Sequence, residues 1–289
     1  MSFLRLGTRV AVINDAEQIL LSKRGDFNTW ALPGGRVDNH ERIRTAAVRE
    51  VEEETGLQVD IERAVGLYYQ AGRDRLNVLY RAKPIGGTLH SVTHETLANQ
   101  YFALTQLPPN IFGEYMMYQA YADDVQLHTL ETSRRELWRV RAKLAQRWVS
   151  NWLSGQPEAT FPRFYIKATA TIWDSNHKYI YSDRDGQGGR TLPRVGLDGT
   201  MAPQSALTYH LAPLTKEPMH WRWIGLFEHP EINEIEFVFE TAVKPRRRYL
   251  SRWVKPAAIK GAGGRDSAYL TKHKRHKPKE QPVWEIAIT

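Results

Sequence analysis

Between Gly35 and Leu57 the chain sets a glycine, an isolated glutamate, an apolar helical repeat, a cluster of glutamates and a second glycine in one short stretch. Ile43, Ala47 and Val51 recur at helical spacing, Asp38 and Glu41 read as N-cap and capping-box partner, and Gly56 stands where a left-handed residue ends a helix. The spacing therefore predicts a helix over 39–54. On it Glu50, Glu53 and Glu54 fall at i, i+3 and i+4 and project from one face, whereas Glu52 points elsewhere. Like charges at that spacing repel, and the last turns of a helix are already negative, so the arrangement is unfavourable unless a cation lies against it. Converging carboxylates suit a hard divalent ion. An ordinary solvated acidic face would not require the flanking glycines or Arg49.

Read from Gly35, GRVDNHERIRTAAVREVEEETGL fits the pattern G-x5-E-x7-R-E-U-x-E-E-x-G-U, with U aliphatic, at every fixed position: Gly35, Glu41, Arg49, Glu50, Val51, Glu53, Glu54, Gly56 and Leu57. This segment resembles the Nudix box. The approach Trp30-Ala31-Leu32-Pro33-Gly34 adds to the likeness, which extends over about residues 5–130. The resemblance implies an α/β fold, a Nudix-type α/β/α sandwich with a mixed sheet. It implies a pyrophosphohydrolase in which Glu50, Glu53 and Glu54 bind Mg²⁺ or Mn²⁺, the Gly35 carbonyl adds a ligand, and Arg49 and Glu41 hold the carboxylates in orientation. The reaction implied is attack of water on the phosphoanhydride of a nucleoside diphosphate derivative, an NTP, an ADP-ribose-type compound or a relative of these. Glu95, in the segment His94 to Phe102, is the candidate for a further acid serving as base or extra ligand, although Ala98 and Tyr101 depart from the acid and the tryptophan common there. Arg24 is a candidate phosphate contact and Tyr68 a candidate stacking surface for a base. Gly72, Arg73 and Asp74 stand where markers for particular substrates are sought, so the nucleotide is left unspecified.

A length of 289 residues suits two domains. Ser154-Gly155-Gln156-Pro157 is the clearest linker, and a helix from Ser133 to Leu153 with the apolar face Leu137, Val140, Leu144, Trp148 and Trp152 precedes it. Beyond the linker, a shift of 160 pairs Ser22 with Ser182, Leu32-Pro33 with Leu192-Pro193, Asp38 with Asp198 and Ala46 with Ala206, and one residue less pairs Gly66-Leu67 with Gly225-Leu226. This reads as a diverged tandem duplication: a catalytic domain at 1–130, a helical connector at 131–160, a degenerate Nudix-like domain at 161–243 and a basic extension at 244–289. In the second copy Tyr209, His210, Pro213 and Leu214 replace Arg49, Glu50, Glu53 and Glu54, and no metal is expected there. Pro203 and Pro213 are expected to break most of its helix. That domain is expected to serve dimerisation, lid formation or ligand binding. The alternating run Ile232 to Glu240 reads as a half-buried strand.

The absence of cysteine excludes disulfide frameworks, thiolate nucleophiles and zinc ribbons, and leaves oxygen ligands for a hard metal. No signal peptide or long apolar run is read, so a cytoplasmic address and no membrane partner are expected. The net charge of +8 comes from 40 basic and 32 acidic residues, of which 13 and 3 lie in residues 244–289. There KPRRRYLSRWVKP and KHKRHKPK, with Tyr249 and Trp253 interleaved, make RNA or DNA a candidate partner for residues 244–279, beside the plainer reading of a solvated tail. The alternation at Val283–Ile288 reads as a strand able to dock. A small-molecule nucleotide substrate is the other expected partner, with a homodimer admitted. The competing class is a nucleotide-sensing or nucleic-acid-binding protein with a vestigial site.

Overall fold

Apolar runs in the first half become β1 (Arg5–Val12), β2 (Ile19–Arg24), β3 (Thr29–Ala31), β4 (Leu57–Ala71), β5 (Arg75–Gly87), β6 (Thr96–Phe102) and β7 (Gln126–Glu131), with helices α1 (Ile43–Thr55) and α2 (Glu114–Gln119). The computed structural model describes residues 4–25, 28–131, 162–186, 188–259, 265–275 and 283–287, with the single positions 138, 142 and 145. The connector helix expected over 133–153 lies outside the described residues apart from those positions. Four strands form a mixed sheet in the order β1-β5-β4-β7: β1 runs parallel to β5, β5 antiparallel to β4, and β4 parallel to β7. A smaller antiparallel sheet, β3-β2-β6, stands beside it.

Ile43, Ala46, Ala47 and Val51 are fully buried, so the helical repeat read from the sequence is the face that α1 packs on the sheet. Gly56 closes the helix in the left-handed region at φ 77° and donates its N–H to Glu52 O. The start differs from the expected one. α1 begins at Ile43, not near residue 39, because His40 takes a left-handed φ of 62° and interrupts the helical path. Asp38 and Glu41 still pair: Asp38 N–H donates to Glu41 Oε2 at 3.0 Å, but this closes a turn ahead of the helix.

The second half supplies β8 (Tyr165–Asp174), β9 (Ile180–Tyr181), β10 (Asp183–Arg184), β11 (Arg190–Thr191), β12 (Arg194–Gly196), α3 (Pro203–Leu211), β13 (Arg222–His229), β14 (Glu234–Val243), β15 (Trp253–Val254), α4 (Arg265–Arg275) and β16 (Trp284–Ala287). Its large sheet contains β8-β14-β13-β16, again parallel, antiparallel, parallel. Single hydrogen bonds recur at an offset of 160. Val10 N–H donates to Pro33 O at 2.9 Å and Ala170 N–H to Pro193 O at 2.9 Å; Val37 N–H donates to Leu6 O at 3.1 Å and Leu197 N–H to Ile166 O at 2.8 Å. Pro203 occupies the first turn of α3, where its missing N–H costs nothing, so a nine-residue helix forms where disruption was expected. β14 is not half-buried: it is central, and Glu236 and Glu240 on it are 1% and 9% exposed, with partners described below. The segment expected as a tail provides β16, docked at the sheet edge.

The two halves share one hydrophobic cluster, from Leu4 through Tyr69 to Trp223 and Val283. They also exchange like contacts. Asn233 Nδ2 donates to Asn39 Oδ1 at 3.0 Å, while Gly199, 160 residues after Asn39, lies against Asp74, 159 residues before Asn233. Tyr69 Oη donates to Gly199 O across the junction in one direction. In the other, the equivalent residue Glu228 accepts the Ile43 N–H at 2.7 Å.

Candidate metal and phosphate site

Gly34 and Gly35 bring the chain close to β1 and α1 at once. Thr8 N–H donates to Gly35 O at 3.0 Å, stitching the loop to β1. Gly34 sits at φ 134°, and a Cβ on Gly35 would overlap the Glu50 carboxylate, so only glycine permits the approach.

α1 delivers its acids beneath this loop. Glu54 Oε2 accepts the Gly34 N–H at 3.0 Å, and Glu50 and Glu54 are both buried. Burial pushes Glu54 up to about 7, against the opposing influence of Arg9 and the Gly34 N–H. Burial likewise raises Glu50, against the pull of Arg49. Glu53 lies at the solvent side. Arg49 binds this set together: Nη1 donates to Glu50 Oε1 and Glu53 Oε2, each at 3.0 Å, and Nε and Nη2 grip Glu41 at 2.9 and 3.0 Å. The hydrogen bond to Glu41 is the largest influence raising the guanidinium pKa. A guanidinium thus stands among the carboxylates, and among the described residues no three acids or histidines are gathered to hold one ion. Glu95 is at the rim: its charge contributes to raising Glu50, and it pairs with His94 at 3.5 Å.

A second group of charges adjoins the acids. Arg9 donates to Leu32 O at 3.4 Å and to Gly34 O, and the charges of Arg9 and Arg24 both lower the Glu54 pKa. Arg75 opens β5, and its Nη2 lies 3.2 Å from the place a Cβ on Gly7 would take, a place 2.9 Å from Gly35 O. Burial lowers the Arg75 pKa to about 10, and Arg9, Arg24, Arg5 and Arg73 push it the same way; its Nε has no hydrogen-bond partner. Arg9, Arg24 and Arg75 thus gather positive charge beside the carboxylates and the Gly34-Gly35 loop. The sequence pattern singles out Arg24 among these arginines and not Arg9 or Arg75. The signal was a charge at position 9 within a strand whose neighbours are buried.

Tyr68 is fully buried, which corrects its reading as a stacking surface for a ligand. Its ring stacks on His128, with centroids 5.0 Å apart, and tilts against Tyr115 at 5.6 Å. Tyr115 is the exposed member of the trio, near enough to Arg9 for that charge to oppose the effect of burial on its phenol, which stands at about 12.

In the second half, charged side chains pair among themselves. Arg194, 160 residues after Gly34, pairs with Asp266 at 2.5 Å and with Glu236 at 3.2 Å; Arg265 pairs with Glu234 at 3.1 Å; and Tyr269 Oη donates to Glu236 at 2.6 Å. Asp266 and Tyr269, both on α4, are buried.

A family profile described as NUDIX domain matches residues 4–121. An ADP-ribose pyrophosphatase of Methanocaldococcus jannaschii is 32% identical over 117 residues, 38% of this chain and 69% of that protein. A Bacillus subtilis (strain 168) protein named "Putative 8-oxo-dGTP diphosphatase" is 37% identical over 102 residues, 35% of this chain and 68% of its own. This chain belongs to the Nudix family. A solved structure of an ADP-ribose pyrophosphatase from Streptococcus suis is 27% identical, covering 44% of this chain and 98% of that one, with a TM-score of 0.37. The chain is accordingly a Nudix hydrolase, an enzyme acting on nucleoside diphosphate derivatives, and its family generally uses divalent metal ions. The donor chemistry fits such an ion, because the carboxylates beneath the Gly34-Gly35 loop are oxygen-only, and two are buried with raised pKa values. Among the described residues no helix is long and apolar enough to cross a membrane.

Proposed function

We propose that this Nudix hydrolase is a Mg²⁺- or Mn²⁺-dependent pyrophosphohydrolase whose preferred substrates carry a chain of phosphates, as nucleoside triphosphates do. The observation that carries the reading is the group of Arg9, Arg24 and Arg75 beside the Gly34-Gly35 loop, where the charges of Arg9 and Arg24 act on Glu54 of α1. Three arginines so placed suit a polyanionic substrate, and each charge-assisted bond to phosphate is worth about 1.5–3 kcal/mol. Glu50, Glu53 and Glu54, with the Gly35 carbonyl, would hold the ion once their side chains turn from Arg49 toward it. When bound, it supplies Lewis-acid stabilisation and lowers the pKa of a coordinated water. Arg49 and Glu41 fix the carboxylates in orientation, Arg9, Arg24 and Arg75 hold the phosphates, and Glu95 at the rim is the candidate to take the proton of the attacking water. The water oxygen adds to one phosphorus, the bridging P–O bond breaks, and the released proton leaves through that carboxylate.

The names borne by the relatives, 8-oxo-dGTP diphosphatase and ADP-ribose pyrophosphatase, bracket this substrate class. The second half is read as a degenerate copy of the first, its counterpart of the site sealed by Asp266, Arg265 and Tyr269. In the basic segment Arg252 pairs with Asp183 at 2.6 Å and Arg246 donates to Pro213 O at 3.0 Å, and nucleic acid is left as its candidate partner. The test is a panel of NTPs, oxidised dNTPs, ADP-ribose and capped RNA with Mg²⁺ or Mn²⁺, following phosphate, pyrophosphate and nucleotide release. Turnover of triphosphates, abolished in Glu54→Gln, is expected. No turnover of any compound would overturn the proposal, and preference for ADP-ribose would overturn its substrate clause.

A further inference from the structure

α1 carries the acids near its C-terminal end, yet the start of that helix is not capped by its own sequence. Arg42 occupies the N-cap position and makes no side-chain capping bond. The N-terminal amides of a helix lack intrahelical acceptors and are ordinarily served by a nearby side chain or by water. Here the acceptor arrives from the opposite half. Glu228 Oε1 accepts the Ile43 N–H at 2.7 Å, and Oε2 accepts from Arg42 Nε at 3.4 Å. Glu228 is 1% exposed, on β13, and lies outside the residues that match the family. Tyr69, 159 residues earlier, donates to the Gly199 carbonyl, ahead of a helix that bears no acids. The carboxylate is therefore found on the side of the junction where the catalytic helix begins. A negative charge at this end also favours the helix dipole.

We propose that Glu228 is a positioning residue that fixes the axial register of α1, and with it the metal-binding geometry of Glu50, Glu53 and Glu54, across the junction between the halves. The proposal rests on the metal-dependent hydrolase reading. It makes the second half, silent in chemistry, a required part of the active site of the first. Glu228 touches neither substrate nor metal ligand and acts through the backbone of Ile43. Removing the bond frees the first turn and lets the acids lose their common orientation.

The test uses the full chain, with Mn²⁺ as the probe. Mn²⁺ affinity is measured by calorimetry and by the spin resonance of free Mn²⁺, in parallel with turnover against Mg²⁺ concentration and amide exchange at residues 43–46. Glu228→Ala is expected to weaken Mn²⁺ binding about tenfold and to raise the half-saturating Mg²⁺ similarly, with kcat at saturating metal changing much less. Exchange of the Ile43 amide quickens. Glu228→Gln, whose amide oxygen can accept the same bond, is expected to restore binding to within about threefold of the parent. A folded Glu228→Ala protein that binds Mn²⁺ as tightly as the parent would overturn the proposal. If Glu228→Ala does not fold, Glu228→Asp, one methylene too short to reach, decides in the same way: weakened binding supports the proposal and unchanged binding overturns it. A parent protein that binds no Mn²⁺ and hydrolyses nothing would instead bring down the metal-hydrolase reading itself.

Discussion

Arg49 and a divalent ion seek the same oxygens. The guanidinium reaches Glu41, Glu50 and Glu53 together, which a planar fork of donors can do and a single ammonium cannot. Arg49→Lys should therefore behave much like Arg49→Ala, with kcat/KM lowered about 10–100-fold, the range expected when a residue orienting metal ligands is lost. Steady-state kinetics at saturating Mg²⁺ checks this, and full activity in Arg49→Lys would show that the fork is not needed. On the proposed reading Arg75 meets the substrate. Its pKa near 10 leaves it charged at neutral pH, so Arg75→Met removes a cation without adding polar surface. The expected outcome is a KM for triphosphates raised about tenfold or more, with a smaller change for substrates holding two phosphates. Equal effects on both would detach Arg75 from the phosphate wall.

At the scale of the element, α1 was readable at one end and not at the other. Its C-terminus is written locally: Gly56 at φ 77° ends it, and a Cβ at that position would crowd Thr88 O and the His90 ring. Gly56→Ala should lower the unfolding free energy by roughly 1–2 kcal/mol, seen as a shifted urea midpoint at constant slope. The N-terminus is decided by His40, which leaves the helical region, and by Glu228, 185 residues away, which no local pattern reveals. That the acids and glycines meet was legible because their spacing on one helix and its preceding loop brings them together. Arg9 and Arg75 were not, since they converge only through the parallel pairing of β1 and β5. β14 was misjudged for a similar reason. Its glutamates alternate as a solvated face would, but Arg194 and Tyr269 cover Glu236, and Arg222 and Trp173 cover Glu240, so both faces close.

For the whole molecule, the junction between the halves concentrates acids. Glu285 on β16, at the far end of the chain, is brought beside Glu228, Tyr80 on β5, and Arg42 and Arg44 at the start of α1. Burial is the main cause that pushes Glu285 up to about 7 from its ordinary 4.5; the Glu228 charge adds to it, and Arg44 and Tyr80 oppose it. Since the folded state holds this proton more tightly than the unfolded chain, its stabilising contribution is complete below pH 4.5 and disappears as pH rises through about 7. Glu50, Glu54 and Glu228 shift in the same direction and add to the loss as pH rises, whereas burial lowers the pKa of His128 and His229 and opposes it. The part due to Glu285 is isolated by comparing the parent with Glu285→Gln, in which the other acids are unchanged. The difference in unfolding free energy should grow between those two pH values and reach at most about 3 kcal/mol in favour of the variant above them. Urea unfolding in EDTA at a series of pH values measures it. Parallel curves for the two proteins would mean that β16 does not hold Glu285 in the junction. A difference that appears together with a single unfolding transition would mean that the last strand, the second half and the catalytic helix fold as one cooperative unit, as their shared hydrophobic cluster requires.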